Sequence, residues 1–565
     1  MKKKLLALSC MALASTMMLG SCFGGGNSDE SSSTSGGSSN KTIVAPKDLT
    51  SLGFDSTYNP SASIKRQQGT IDVVLVFEGT VKGWEALAAE YSRLHGGEVA
   101  VNLNTTYTDA KVYQQNLGYE LSSDNPTWDI IQGNLAQGEL RSFAMNMYNA
   151  VKAENLYAGD DLVWEDVLME DAYITDKSGA TEDTYIMNSE GLETAWFINT
   201  VALEAAKKND YNGPDNPKTW DQLMDLCAAM KAAGYKNPLG IALDDDSIGA
   251  SQFTWLLRVY GDYFYRNEYQ NIMVDEDKFI YDATSENPES NSAYSVSANK
   301  FFYSLFAYRD NNYYVGPESK KFQEFIENFQ KMRPYLRSNS AQTSLSGLRD
   351  EFATQSKGKD GKESPQIFLD YLGAGLKFKQ NEDANFKVDF FDYPVMESNL
   401  IDDETVLRDV GGNGGYLSIV KHNDKQDALS LDFIKFVMSP YGQSIYYDAL
   451  SKAGSTPMGM TTVVSETVVI PTEWKTFFAD EKIKFQGLVD SNPYISYLIR
   501  SFSDEAKTTA KALENWKKYL TSETFTTDDF VQSWDEAMAA DWVTYCKRTG
   551  KRETIKDSRE GTDKL

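Results

Sequence analysis

The sequence predicts an α/β protein with a parallel sheet, and three stretches carry the prediction. Residues 71–77, IDVVLVF, form a β-branched run without polar alternation. That is the pattern of a strand covered on both faces. Apolar residues at helical spacing follow (Trp84, Leu87, Ala88, Tyr91, Leu94), then Gly96-Gly97, then a second β-rich run at 99–103. Strand, helix and strand within about 35 residues imply a parallel pair with a right-handed crossover. The third stretch is 194–234. Ala195-Trp196-Phe197-Ile198 suggests a short strand ending at Asn199, followed by a helix and a Gly/Pro/Asn-rich loop. Thr219 then caps a second helix, with Gln222 three residues on completing a capping box. Leu223, Leu226, Cys227 and Met230 share one face of that helix, and Gly234 supplies its stop.

The chain has 565 residues, room for two or three domains at about 150 residues each. Hydrophobic residues make up 41%, enough for a substantial core. The formal net charge is −27. Such an acidic surface argues against nucleic acid and against an anionic membrane face, because phosphate binding needs clustered Lys and Arg.

The N-terminus reads as a targeting segment. Lys2, Lys3 and Lys4 form a basic start, and residues 5–19 form an apolar run too short for an ordinary transmembrane helix. Leu19-Gly20-Ser21-Cys22 ends it. This resembles a bacterial lipobox, which implies that residues 1–21 are a signal peptide. It also implies that Cys22 is acylated and anchors an extracytoplasmic protein to the cell membrane. Cys10 is a poor competitor, since almost no apolar run precedes it. Residues 22–69 then read as a flexible tether, Gly/Ser/Thr-rich as far as Asn40. Cys227 and Cys546 remain, each on a helix-like segment. Two buried thiols packing as small hydrophobes is the favoured reading, and a disulfide between them stays open.

Further along, 113–121 reads as a helix and 128–132 as a third strand, with Gly133-Asn134 as its loop. Residues 150–190 are acidic and read as loop-rich. A strand at 238–243 and a helix at 252–257 follow. Residues 262–315, rich in Tyr, Asn and Asp, read as an insertion over the core. Phe322, Phe325, Ile326 and Phe329 form a helix face; 366–372 and 388–395 read as strands. A glycine-rich stretch, 411–415, leads into a strand ending at Val420. Leu429, Phe433, Phe436 and Val437 mark another helix, and helical segments at 504–520 and 527–545 finish the chain.

Several of these stretches, in their order, resemble one family. Pro217-Lys218-Thr219-Trp220-Asp221-Gln222-Leu223 follows its Lys-Thr-Trp helix start, with Gln222 in place of Glu. Phe197-Ile198-Asn199 stands where a Tyr-Asn strand end is usual. Thr127-Trp128 replaces the small-residue–Pro lead-in to the third strand. Phe433-Ile434-Lys435-Phe436-Val437 with Gln443, and Gly454 to Pro457, match its closing region. The chain is similar here to the extracellular solute-binding proteins of sugar ABC transporters, family 1, the maltose-binding-protein-like group. The resemblance implies a two-lobed periplasmic-binding-protein-like II fold with a hinge and a central ligand cleft. It places lobe 1 at 70–192 and 417–465, lobe 2 at 193–416 and 466–550, and a polar tail at 551–565. It further implies a monomer that binds an oligosaccharide by hinge closure and delivers it to ABC permease subunits with a cytoplasmic ATPase. No cofactor, metal or nucleic acid is expected.

Motifs for chemistry are sparse. His95 and His422 are the two histidines, both read as surface residues. No HExxH, GxSxG or Walker string occurs, and the GxxGK piece at 358–362 lacks the rest of a P-loop. Residues 275–286 place Asp275, Asp277 and Glu286 as a calcium loop would. Phe279 and Ile280 occupy positions that need an oxygen ligand and a glycine. Asp244-Asp245-Asp246 reads as a solvated loop. The expectation is a binder, not an enzyme.

A sugar site needs aromatic faces for the C–H faces of the ring and carboxylates or amides for its hydroxyls. Such groups converge at the ends of parallel strands. The candidates there are Glu78, Gln132, Asn134, Glu193, Trp196, Asp370, Tyr371 and Asn413, with Trp255 on an early helix of the second lobe. Trp84 and Trp220 read as core or helix start. The 411–415 glycines read as close ligand approach near a hinge, with an anion cradle as the alternative. Three other functions stay open: a binder of a peptide or polyamine, a surface glycan hydrolase, and a receptor for a sensor kinase.

Overall fold

The computed structural model of the chain describes residues 41–537, except 55, 77, 105–109, 124–125, 137, 177–181, 244–251, 272–318, 355–360, 411, 414, 480–505 and 535. The lipobox and the part of the expected tether before residue 41 lie outside the described residues. So do 244–246, the 275–286 loop, most of the 262–315 segment, Gly411, Gly414, Cys546 and the tail.

In chain order, strand β1 (Gly69–Val74), helix α1 (Val81–Leu94) and β2 (Val99–Asn104) come first. They are followed by α2 (Ala110–Ser122), β3 (Ile130–Gln132) and the short α3 (Tyr148–Val151). Four strands come next: β4 (Tyr173–Asp176), β5 (Asp183–Asn188), β6 (Glu190–Leu192) and β7 (Thr194–Asn199). Then come α4 (Thr200–Lys207), α5 (Trp220–Ala232), β8 (Leu239–Gly240), α6 (Gln252–Asn271), α7 (Lys320–Gln330) and α8 (Leu345–Thr354). The chain continues with β9 (Ile367–Tyr371), α9 (Ala374–Gln380), β10 (Val388–Phe391), β11 (Gly412–Asn413) and β12 (Tyr416–Ile419). It closes with α10 (Asp424–Val437), α11 (Pro440–Lys452), β13 (Met460–Thr461), α12 (Thr472–Phe478) and α13 (Ala506–Thr521).

These elements form two compact units. Unit 1 holds the described residues up to Glu193, with Tyr371–Lys377 and Gly412–Asp480. Unit 2 holds Thr194–Asp370, Phe378–Gly411 and the described residues after 480.

Unit 1 is built on a six-stranded sheet of order β2-β1-β3-β12-β5-β4. The β1–α1–β2 unit forms as its sequence dictates: β1 pairs parallel with β2 from Gly69↔Val99 to Val74↔Asn104. Trp84, Leu87, Tyr91 and Leu94 bury the inner face of α1, and Gly96 and Gly97 leave it at φ 70° and 79°. β3 adds parallel to β1. The return strand β12 then enters antiparallel between β3 and β5. A second sheet, β11-β6-β13, is small and wholly antiparallel.

Three expectations are corrected here. The described part of the expected tether, from residue 41, is not flexible linker but packs on unit 1, with Ile43, Leu49, Phe54 and Ile64 buried and Val44 N donating to the Leu94 carbonyl at 2.7 Å. The 150–190 region is not merely loop, because β4 and β5 pair antiparallel and extend the main sheet. Their Thr and Asp content conceals a strand that buries Thr184, Ile186, Met187 and Asn188. His95 is not a surface residue either: its side chain is 0% exposed. Its Nδ1 accepts from the Gln67 amide at 3.0 Å, so Nε2 carries the proton and faces the Tyr157 hydroxyl at 3.0 Å. Tyr157 and Tyr91 donate in turn to Asp432 Oδ2, at 2.6 and 2.7 Å. Burial, helped by the Arg66 charge, pushes the His95 pKa down to about 4. His422 is also mostly enclosed, its Nε2 at 3.0 Å from the Trp128 carbonyl and 3.3 Å from Asp129 Oδ1.

Unit 2 has a four-stranded sheet, β10-β7-β9-β8. All six residues of β7 are buried, as a central strand requires. It pairs antiparallel with β10, from Val388↔Asn199 to Phe391↔Trp196, while β8 runs parallel to β9. The expected capping box is present at α5: Thr219 Oγ1 accepts from Gln222 N at 3.3 Å, and Gln222 Oε1 accepts from Thr219 N at 3.3 Å. Gly234 follows at φ 97°. Trp220 is core, its indole donating to the Asn328 carbonyl at 2.8 Å and its ring edge-on to Tyr260 at 5.2 Å. Helix α6 runs through Asn271 and buries Asp262 and Tyr265. The described part of the expected insertion, 262–271, is therefore helix, and its first turn is core.

Candidate functional site

In unit 1 the parallel strands β1 and β3 end on the same edge of the main sheet. The chain leaving β1 enters a turn at Glu78–Thr80. The chain leaving β3 presents Gln132, Gly133 and Asn134. Gln132 is buried, and its Oε1 accepts from the Val76 amide at 2.9 Å, tying the two strand ends together. Asn134 is half-buried; its Oδ1 accepts from the Ala136 amide at 2.8 Å, which fixes the turn after β3. Ser418 of β12 donates to the Gly133 carbonyl at 2.9 Å and accepts from Leu135 N at 3.2 Å, so the loop is held from both sides. Tyr416 begins β12 on this edge, opposite Asn188 and one residue before Leu417, which pairs with Gln132, and is half-buried. Sequence reasoning missed Tyr416, because only the antiparallel entry of β12 puts its first residue there.

A second group in unit 1 lies around β6. Glu193, half-buried, follows β6, and its carbonyl accepts from Leu372 N at 2.7 Å. That bond sets Tyr371, also half-buried, close to it. Asn413 pairs in register with Gly191 through β11. Asn413 thus lies in the small sheet that Glu193 leaves, and Tyr371, the last residue of β9, is tied to the same place through the Leu372 bond.

The three candidates in unit 2 are enclosed. Trp196 is 0% exposed, stacked on Phe391 with ring centroids 6.4 Å apart and edge-on to Trp220 at 6.5 Å. Its position on a fully buried central strand makes it core, which corrects its expected place beside a cleft. Trp255 is likewise buried, on α6. Asp370 is 0% exposed, and Arg349 grips it with both arms: Nε to Oδ2 at 2.5 Å and Nη2 to Oδ1 at 2.8 Å. A bidentate guanidinium occupies both carboxylate oxygens, so Asp370 braces the end of β9. The sequence carries no signal for that partner, which lies on α8. Next to it, Gln252 ties strand ends together, accepting from Ala242 N and donating to the Leu369 carbonyl, each at 2.5 Å.

Among the described residues no group of three His, Cys, Asp or Glu side chains is arranged to hold a metal ion. Cys227 is buried and free, and burial raises its thiol pKa far above the usual range. It packs as a small hydrophobe.

No family model matches the chain, and no curated protein matches it. Solved structures do. A Bacillus subtilis structure assigned as binding protein MsmE, in an open conformation, is 14% identical with a TM-score of 0.50; the match covers 86% of this chain and 99% of that one. A chitin oligosaccharide binding protein is 13% identical with a TM-score of 0.50, covering 83% and 97%. A family 1 extracellular solute-binding protein from Bifidobacterium longum is 14% identical with a TM-score of 0.49, covering 84% and 99%. The first two show that the chain has the α/β fold of these binding proteins, the fold its sequence motifs imply.

Proposed function

We propose that this chain is the extracytoplasmic solute-binding component of an ABC importer, that it binds a carbohydrate, and that the carbohydrate is an oligosaccharide. The observation that carries the reading is the fold shared with the binding proteins over more than four-fifths of the chain. Polar residues at the strand ends of unit 1 support it. In this reading Cys22 carries the lipid anchor, lobe boundaries follow the unit boundaries, and the partner is a membrane permease with its ATPase. No catalytic step is invoked. Binding and release are the function, and the ATPase supplies the energy.

The contact residues we propose are Glu78, Asn134, Glu193, Tyr371 and Asn413, with Tyr371 offering a ring face and the others hydrogen bonds to hydroxyls. Gln132 fixes strand ends within unit 1, and within unit 2 Asp370 fixes the end of β9 while Trp196 and Trp255 belong to the core. The chain crosses between the two units at Glu193/Thr194, Asp370/Tyr371, Lys377/Phe378 and Gly411/Gly412, and once more at 480/481, outside the described residues. These crossings are the proposed hinge. A ligand that binds the closed arrangement more tightly shifts the population toward it.

The test is a thermal-shift screen of the mature chain against oligosaccharides, peptides and polyamines. A ligand at a hundred times its Kd should stabilise by about 2.7 kcal/mol. Stabilisation by oligosaccharides alone is expected; stabilisation by peptides or polyamines alone overturns the carbohydrate assignment. Release of shorter sugars from a bound oligosaccharide would overturn the non-enzymatic reading.

A further inference from the structure

Glu190 begins β6 and is a titratable group that the proposed function leaves unused. It is 4% exposed. Its carboxylate accepts from the Tyr446 hydroxyl, from Met458 N at 2.9 Å and from Gly459 N at 3.3 Å. Among the described residues no basic side chain pairs with it. The other titratable groups on the elements packed around it are few. The Tyr446 and Tyr447 phenols of α11 are driven far above their usual pKa by burial. The half-buried Glu193 follows on its own strand, and Lys82 and Glu85 on α1 are exposed and paired with each other. The helical turn Glu170–Ala172, packed against β6, carries Glu170, which is exposed, and Asp171, and Asp448 on α11 pairs with Lys452. Residues 457–459, β11 and β13 contribute none.

The backbone that Glu190 holds has no slack. A Cβ on Gly459 would stand 1.6 Å from the Gly191 carbonyl oxygen, and one on Gly373 would stand 2.3 Å from that of Pro457. Tyr447 donates to the Gly459 carbonyl at 2.9 Å. Residues 457–459 therefore form a strap pressed between β6 and the segment entering α9. Three of the crossings leave from this assembly: Glu193 follows β6, Tyr371 is tied to it through Leu372, and Gly412 pairs with Leu192.

The polar geometry admits a neutral carboxyl as well as an ionised one. With the proton on Oε1, the bond to Tyr446 reverses, the carboxyl donating to the phenol oxygen that otherwise donates to it. Oε2 keeps both amide bonds. An ionised carboxyl keeps three donors but is a buried charge without a counter-ion, which is costly.

We propose that Glu190 is a proton-operated positioning residue. While its carboxyl is neutral the strap lies firm on β6, and ionisation favours states in which the strap lifts and the charge meets water. Burial places this titration at about 7, within the range an extracytoplasmic protein meets. The proposal rests on the binding-protein reading only in taking the crossings as the hinge.

The experiment is amide hydrogen exchange at Met458 and Gly459 in the ligand-free mature chain at pH 6 and pH 8, corrected for intrinsic rates. Wild type should lose about tenfold protection at pH 8, one proton being linked to opening. Glu190→Gln, a neutral mimic that can donate to Tyr446, should keep the pH 6 protection at both values. Tyr446→Phe removes a donor to the ionised form and should move the loss to higher pH, which keeps the test open if Gln does not fold. Protection independent of pH in wild type, or a tenfold loss that survives in Glu190→Gln, overturns the latch. Because no ligand is present, failure to bind carbohydrate leaves this result standing, and a pH-insensitive strap leaves the binding function standing.

Discussion

The two units handle enclosed carboxylates differently. Unit 2 gives them guanidinium partners. Asp370 is gripped by Arg349, and Asp262 receives both Arg266 and Arg408. Unit 1 does this for Glu90 with Arg93 and Lys47 and for Asp183 with Arg141, but leaves Glu190 and the partly exposed Asp432 to hydroxyl and amide donors. Arg stays charged at every accessible pH, so its pairs depend on geometry. Carboxylates held by neutral donors can take up a proton in place. The contrast teaches that unit 2 is braced by fixed charge, whereas unit 1 contains elements whose hold changes with pH.

The largest expected effect breaks a brace. Arg349→Met removes the guanidinium that grips both oxygens of the buried Asp370, and should cost about 3–5 kcal/mol in urea unfolding. Adding Asp370→Leu should recover most of the loss, since a buried pair is often replaceable by apolar residues. A cost under about 1 kcal/mol for the single variant would show that water reaches Asp370 and would erase the contrast.

Next comes Glu190. Burial raises its folded pKa from the ordinary 4.5 to about 7. Its stabilising contribution is therefore complete below 4.5 and is lost as pH rises through 7. Glu190→Gln should be more stable than wild type at pH 8, by about 2–3 kcal/mol at most, with the gain vanishing by pH 5. Equal stability at both pH values would place Glu190 with the fixed carboxylates.

His95 works in the opposite sense. Its pKa is lowered from 6.5 to about 4, so its contribution is complete above 6.5 and is lost as pH falls through 4. Relative to His95→Gln, wild type should lose about 2 kcal/mol between pH 7 and pH 5, seen first as faster amide exchange at the end of α1. The smallest effect is in unit 2: Thr219→Ala removes the α5 cap and should cost about 1 kcal/mol at any pH. A pH-dependent cost there would mean that the two units are less distinct than their charge pairing suggests.

What could be read from the sequence followed from local causes. The capping box at Thr219 and Gln222, the glycine exits at Gly96 and Gly234, and the β1–α1–β2 crossover need only neighbours within a few turns, and all form. The hairpin of β4 and β5 was illegible because its strands are polar and gain their place from β12, far away in the chain. The same holds at the candidate site. Residues at strand ends could be named, but whether a side chain faces solvent or a partner was decided elsewhere: Asp370 by Arg349, Trp196 by Phe391 and Trp220. Periodicity marks a buried position and not what buries it. Glu190 stood in plain view between two candidates, and nothing in its neighbourhood announced that it would be enclosed.

The place of β12 also bears on how the chain is made. It fills the space between β3 and β5, and Gly415 reaches back to Asn188 across 227 residues. Until that stretch has been synthesised, β3 and β5 each present an unpaired edge of the kind that recruits foreign strands, and closing so long a loop is slow. A nascent chain stopped before residue 416 is thus a sticky half-sheet.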